Sequence, residues 1–458
     1  MKPNRRGGAA AREEVVSMAP SIIVAGGGHG GIAAAHLLAK RGYDVTVYEK
    51  NTRDRMGYDW TDIFDKKGFY AAEMDLPAPD KFCLKQDMTF LGPGETVRLQ
   101  QHTDPDKLEI QMERTAIYDH LIDHAERSGA RFVFGCEVEG PILLGNRVVG
   151  IRTPQGAVYA DLVIDACGVA SPVRSQLPAF LGIQNEVEPY EQFFVYRAFF
   201  NKACETKEDK FKVQLLREGK LGICWVAAEE THTDVLIGRF EPFDLAEVER
   251  SLESLRRDNP AIGTEIVRGG QFVRIPVRQP LGVLVADGYA AIGDAAFMTV
   301  PIIGSGIANS LKAAKLLCDA VTADADCAYS ARTLWKYQCD FYNKIGANLA
   351  PLACVKLLLT RLVPADLDYI FETGILNADD MTIDADSTSL GAMFAGMTVD
   401  DLKTKAGGLV KNPAVLKKIL RLGREIGVVS AVTAAMPKAY DPEKVLRWVK
   451  NYNACFKH

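Results

Sequence analysis

Three glycines, Gly26, Gly28 and Gly31, occupy the spacing G-x-G-x-x-G, and a carboxylate, Glu49, follows about twenty residues on. The first glycine of such a set permits a tight turn, the second lets a pyrophosphate approach the backbone, and the third lets a helix pack against a strand. A carboxylate at Glu49 accepts hydrogen bonds from the two hydroxyls of an adenosine ribose, and its charge disfavours a ribose carrying a 2′-phosphate. The constellation points to a dinucleotide. A second block, 287–307, places Asp294 after Gly293 and sets Pro301, Gly304, Gly306 and Ile307 around a glycine-rich loop that opens a helix. Asp294 is positioned to accept hydroxyl hydrogen bonds, while the helix N-terminus brings partial positive charge to whatever lies above the loop. Arg114 precedes another helix, where its guanidinium either reaches a phosphate or solvates the helix start. His29 reads as a loop residue facing solvent or phosphate, not as a catalytic base.

The elements that must hold these residues follow from the hydrophobic pattern. Ile22, Ile23 and Val24 form a short apolar strand, 32–40 a helix, and 43–48 a second strand that alternates toward Glu49. The irregular stretch 51–70 is long for a connection, which suggests a covering loop. Its Tyr58, Asp59 and Trp60 sit either near a bound cofactor or on a surface loop with one packed ring. The segment 82–101 reads as a hairpin turning at Gly92-Pro93-Gly94. A helix over 115–127, closed by Gly129, feeds a strand over 131–136. Three short β segments follow, the last ending in Asp165-Ala166-Cys167-Gly168, small residues suited to close approach of backbone and ligand.

From 176 to 278 strand-like runs dominate (193–200, 211–216, 221–228, 234–240 and 272–277), with one charged helix at 245–257. The pattern predicts a mainly antiparallel sheet that takes in the earlier hairpin and holds the substrate. Trp225 and Cys224 are its candidate catalytic residues, with ordinary sheet core as the alternative. From 332 on the pattern is helical. The segment 410–426 carries Lys411, Lys417, Lys418, Arg421 and Arg424 beside Val415, Leu416, Ile419, Leu420 and Leu422. Such a basic amphipathic helix either touches an anionic membrane surface or packs with a solvated face.

Length and composition narrow the class. At 458 residues the chain exceeds one simple core, and nearly half of it is apolar with a quarter charged, an ordinary globular balance. A net charge of −5 argues against nucleic acid as a partner. The ten cysteines are scattered without metal-binding spacing and read as reduced thiols of a cytoplasmic protein, possible contact with a membrane being peripheral only. No metal site is expected, and the oligomeric state is not legible. Residues 1–17 read as a disordered extension.

Taken together, the blocks resemble the flavoprotein superfamily typified by para-hydroxybenzoate hydroxylase, which also holds flavin-dependent halogenases and geranylgeranyl reductases. Gly26, Gly28, Gly31 and Glu49 look like its ADP-binding element. Asp287-Gly288, Gly293-Asp294-Ala295-Ala296, Pro301 and Gly304-Ser305-Gly306 look like its second FAD motif, and Asp165-Ala166-Cys167-Gly168 with Ser171 and Arg174 resembles its D-A-T-G segment. The resemblance spans roughly 20–340 and implies non-covalent FAD. The implied fold is α/β (α+β), a GR2-type Rossmann FAD-binding domain (18–80, 105–180, 275–330) with an inserted antiparallel β-sheet substrate domain (81–104, 181–274) and a C-terminal helical region (331–458). The residues expected to bind FAD are Gly26, Gly28, Gly30, Gly31, Glu49, Lys50, Arg114, Val138, Gly168, Asp294, Pro301, Gly304, Gly306 and Ile307, with 304–307 facing the isoalloxazine.

Within the superfamily, hydroxylases often carry histidine after G-D-A-A, where this chain has Phe297, and the run 293–317 is more similar to the geranylgeranyl reductases. The tryptophan-containing sheet element of those reductases is matched only through Trp225, and the cysteine they carry after the ribose glutamate has no counterpart between Gly57 and Thr61. The leading expectation is an FAD-dependent oxidoreductase that reduces a C=C bond of a small apolar or prenyl-like substrate by hydride transfer from flavin N5. NAD(P)H is expected as a transient electron donor. The alternatives are an NAD(P)H- and O₂-dependent hydroxylase and a non-catalytic prenyl carrier, the latter at odds with intact glycines and Asp294 in the second FAD block.

Overall fold

Strands Ser21–Ala25, Asp44–Glu49, Arg131–Phe134, Leu162–Asp165 and Tyr289–Ala291 pair in parallel, with Val285–Ala286 added antiparallel at one edge. Ser21–Ala25 is central, and Ile22, Ile23, Val24 and Ala25 are buried on both faces, as a doubly covered parallel strand requires. In the computed structural model the described residues are 19–184, 186–206, 210–381 and 399–457, so the expected extension 1–17 lies outside them. The helix His29–Ala39 follows the first strand directly and is buried almost all round, between helices Arg114–Arg127 and Ile307–Ala323. That crowding explains its Gly and Ala content: a Cβ on Gly30 would stand 3.0 Å from Ile292 and 3.1 Å from Ser310.

The second layer is a seven-stranded sheet, ordered Ile262–Pro276, Gln192–Lys202, His232–Arg239, Gly222–Ala228, Phe211–Leu215, Thr89–Leu91, Arg98–Gln100. All its pairs are antiparallel except Phe211–Leu215 with Thr89–Leu91, because the latter arrives from a distant part of the chain. The predicted hairpin 82–101 is thus shorter than expected: only Thr89–Leu91 and Arg98–Gln100 form it. Phe82–Leu84 instead joins a small sheet with Ile110–Glu113 and Thr61–Phe64, the last inside the stretch expected to be irregular. The charged helix Leu245–Asp258 covers one face of the large sheet.

The C-terminal helices Ala331–Phe341, Ala347–Leu359, Pro364–Glu372, Val399–Lys411, Pro413–Ala434 and Pro442–Ala454 close the remaining side. Leu358, Leu362, Leu367, Ile370, Phe371 and Val415 pack in one apolar cluster with Leu99 and Leu216 from the sheet. Each such buried side chain contributes about 1.5–3 kcal/mol. No single helix among the described residues is long and apolar enough to cross a membrane.

Three histidines join the two helices nearest the first strand. His36 Nδ1 lies 3.0 Å from the His124 carbonyl oxygen and 2.8 Å from Ser128 Oγ, and the His120 and His124 rings stand 4.6 Å apart. Burial pulls the His124 imidazole down from 6.5 to about 4, helped by neighbouring His120 and Arg127, and burial lowers His36 and His120 as well. Between those two values the unfolded chain binds the protons more readily, so stability is fully present above about pH 6.5 and is lost as pH falls toward 4. The melting temperature is expected to drop across that window, with a shallower drop in His124→Gln. An equal drop in the variant would contradict the assignment.

Candidate active site

The glycine turn is built against Ala166. Gly26 has φ of +83°, and a Cβ there or on Gly28 would stand 2.8 Å from the Ala166 carbonyl oxygen. A Cβ on Gly31 would meet the Ala166 methyl at 2.5 Å and Val24 at 2.9 Å. The first two glycines therefore keep the turn tight, while the third lets the helix lie on the strand. Glu49, at the end of its strand, accepts hydrogen bonds from the backbone N–H of Gly27 (2.7 Å) and of Asn51 (2.8 Å). One oxygen is engaged by each, which leaves lone pairs free for ribose hydroxyls on the cavity side.

Asp165 does not face that cavity but ties the cradle together from behind. Fully buried, it accepts from Ser171 Oγ (2.6 Å), Tyr289 OH (2.9 Å) and the Cys167 N–H (3.1 Å). Arg174 donates to the Ala295 carbonyl (2.6 Å), and its guanidinium and that of Arg278 lie 4.6 and 4.3 Å from the Phe297 ring centroid. Phe297 sits in the left-handed region, at φ of +56°, with its ring in contact with both guanidinium groups. In this way the segment 165–174 fixes the second block. Asp294 accepts from Thr299 Oγ1 at 2.9 Å, and burial raises its pKa against the opposing pull of Thr299 and Arg114. Gly306 caps the helix Ile307–Ala323, whose first N–H groups lack intrahelical partners. A Cβ on Gly306 would stand 2.8 Å from Thr299 Oγ1.

Gly26, Gly28, Gly30, Glu49, Lys50, Arg114, Val138, Gly168, Asp294, Pro301, Gly304, Gly306 and Ile307 all line one cavity of about 1130 Å³, while Gly31 lies behind it in the helix packing. These residues fit FAD: the backbone cradle admits no Cβ, two carboxylates stand where two sets of hydroxyls would bind, and a helix N-terminus faces the same space. Arg114 lines the cavity and is also held by a neighbouring carboxylate. Its guanidinium forks onto Asp62, with Nε and Nη2 at 2.5 and 2.6 Å, and lies 4.8 Å from the Tyr58 ring centroid. His29 stacks on Tyr118 with centroids 4.5 Å apart, and burial, then Arg114, lowers its pKa to about 3, so it is neutral near pH 7.

The same cavity continues along the large sheet. Trp225, Ile223, Phe193, Val195 and Leu236 line it, as do Phe90, Val213 and Leu215. Its far part is walled by the C-terminal helices through Val355, Leu359, Leu362 and Leu367, with Leu376 and Met381. Cys224 is not part of it. Successive strand residues point to opposite faces, so Trp225 on the cavity side sends Cys224 to the other. There Cys224 packs with Ile237 and Leu255 under Leu245–Asp258, its Sγ 3.6 Å from Arg239, and burial pushes its thiol up. Of the two candidate catalytic residues expected on this strand, Trp225 lines the cavity and Cys224 faces away from it.

Arg197, missed in the sequence, braces this wall. It donates to Asp234 (2.9 and 2.7 Å) and to the Thr61 carbonyl and hydroxyl (2.6 and 2.7 Å). Its guanidinium lies 5.4 Å from Trp60 and 4.8 Å from Trp225. A lone arginine inside the apolar run 193–200 was the available signal. Asp62 had none beyond its place in an aromatic-rich stretch.

Fold and site together form a dinucleotide-binding Rossmann unit whose cavity fits FAD. The sequence model of the NAD(P)-binding Rossmann-like domain matches residues 24–76, the cradle itself. The chain is similar to the digeranylgeranylglycerophospholipid reductases of Haloferax volcanii, 24% identical over 82% of this chain and 94% of the relative, and of Methanothrix thermoacetophila, 26% identical over 75% and 88%. Among solved structures, a geranylgeranyl bacteriochlorophyll reductase-like protein from Thermoplasma acidophilum shares the fold, with a TM-score of 0.70 at 21% identity over 88% of this chain and 99% of that one. A probable FAD-dependent monooxygenase from Pseudomonas aeruginosa superposes with a TM-score of 0.57 at 20% identity, covering 78% of this chain and 100% of that one. The resemblance read from the sequence and the expected fold class both hold.

Proposed function

We propose that the chain reduces a carbon–carbon double bond in an apolar, prenyl-like substrate, with NAD(P)H as external electron donor. One observation carries the reading: the cavity that begins at the glycine cradle runs on between the sheet and the C-terminal helices as an apolar arm. Bound FAD, once reduced, would supply hydride from N5 to one alkene carbon, and a proton from solvent or a side chain would complete the other. The chain's own residues do the rest. The backbone at 26–28 and Glu49 hold the adenosine half, and Asp294 with the helix N-terminus at Ile307 holds the other. The positive end of that helix favours negative charge beside it. Trp225, Phe193 and Leu236 exclude water and hold an alkene, while Arg197 keeps Trp60 and Trp225 in place. The names of the Haloferax and Methanothrix relatives support a lipid-like substrate of this kind.

The reading is tested by incubating the FAD-loaded chain with NAD(P)H, or with chemical reductant in its place, and polyprenyl alkenes without oxygen. The product is expected to gain two hydrogens for each bond reduced. Unchanged alkenes of every chain length, beside flavin that reduces normally, would overturn it.

A further inference from the structure

We propose that the outer face of the helix Pro413–Ala434, with the end of the preceding helix Val399–Lys411, docks on an anionic lipid surface. The inference rests on the lipid-like-substrate reading, for such a substrate must leave a lipid phase to reach the cavity. The inner face of Pro413–Ala434 is already used: Val415, Ile419 and Leu422 pack in the same cluster as Leu359, Leu362, Leu367, Leu376 and Met381, which wall the apolar arm. The helix is thus the outer cover of the substrate end of the cavity. Its outer face remains unpartnered among the described residues, and what it presents is unusual for a solvated surface.

Leu420 is 65% exposed and Val428 50%, with Val410 just before them at 72%. Between them stand exposed Lys411, Lys417, Arg421 and Arg424 and the small residues Gly423 and Gly427. The one acid of the helix, Glu425, is turned inward and taken by Arg361 and Arg421 at 2.9 and 2.8 Å, and Lys418 is tied to Asp366. Lys417 and Arg424 have no acidic partner among the described residues. In a chain of net charge −5, this face carries, among the described residues, cations and apolar side chains with no acid exposed on it. Cations interleaved with apolar side chains complement anionic headgroups and the acyl boundary beneath them.

The test uses the full FAD-loaded chain and vesicles of phosphatidylcholine with or without phosphatidylglycerol. Co-sedimentation is expected with the anionic vesicles alone, and it should weaken as salt is raised. The K417E/R424E double variant is expected to lose binding about tenfold or more, and L420S/V428S to lose it at equal charge. Neither pair touches the cavity, so reduction of a short, water-soluble prenyl alkene should be unchanged in both. Absent binding of the parent chain to anionic vesicles, or equal binding by K417E/R424E, would overturn the proposal. So would a dimer that the charge reversal dissolves while vesicle binding persists, since the face would then hold a second copy. Vesicle binding without reduction of any alkene would sink the substrate reading and leave the docking surface standing.

Discussion

Gly28→Val is expected to yield a folded chain that purifies without FAD and binds added FAD at least about a hundredfold more weakly, roughly 3 kcal/mol. The reason is local. A Cβ at Gly28 would stand 2.8 Å from the Ala166 carbonyl oxygen, and that atom is backbone, held by the buried Asp165 network of Ser171, Tyr289 and Cys167. It cannot give way, so the turn itself must move, taking its N–H groups off the pyrophosphate position. The remaining methyls would occupy the space the cofactor needs. Fluorescence titration of the variant with FAD measures the loss, and circular dichroism confirms the fold. Gly423→Ala serves as the control: a Cβ there meets nothing within 4 Å, so flavin affinity should not change. Parent-like affinity in Gly28→Val would mean that the cradle is not where the cofactor binds.

Arg197→Met is expected to cost about 3–5 kcal/mol of stability, whereas Arg197→Met/Asp234→Leu recovers most of it. Both partners are buried, and removing the arginine takes away the two hydrogen bonds it donates to Asp234, leaving that carboxylate with only the more distant charge of Arg268 beside it. An uncompensated buried carboxylate is the dominant cost, and a well-packed apolar pair removes it. The single change also frees Thr61, which Arg197 pins to the large sheet, and takes away the guanidinium between Trp60 and Trp225. Substrate KM should therefore rise in both variants while FAD affinity stays near that of the parent. Urea midpoints read the first effect and steady-state kinetics the second. A single-variant loss below about 1 kcal/mol, the range of exposed pairs, would contradict the burial argument.

The parts of the site carried by adjacent residues were open to sequence reading. The turn 26–31 with Glu49 and the loop 293–307 each put their chemistry within one strand–turn–helix unit, so residue type and spacing suffice. Cys224 shows where that ends. Strand Gly222–Ala228 is buried on both faces, one by the cavity wall and one by Leu245–Asp258, so apolar residues appear at every position and no alternation marks the inner side. A shift of one residue exchanges the faces. The pairing of Phe82–Leu84 with Ile110–Glu113 and the fork of Arg114 onto Asp62 join segments far apart in the chain, which local pattern does not encode. The apolar arm is the largest such case. The helical pattern from 332 on does not distinguish Leu359, Leu367 and Met381 from other apolar residues, and only the packing of the C-terminal helices over the sheet makes them cavity wall.

Under the proposed function, electrons stored on FAD in this cavity go to an alkene. This transfer is read by reducing the bound flavin without oxygen, adding a polyprenyl alkene, and following the visible spectrum. The oxidised flavin spectrum is expected to return on alkene addition, matched in amount by saturated product, and to return slowly in air alone. A flavin left reduced by every alkene but oxidised rapidly by air with hydroxylated product would contradict the proposed function.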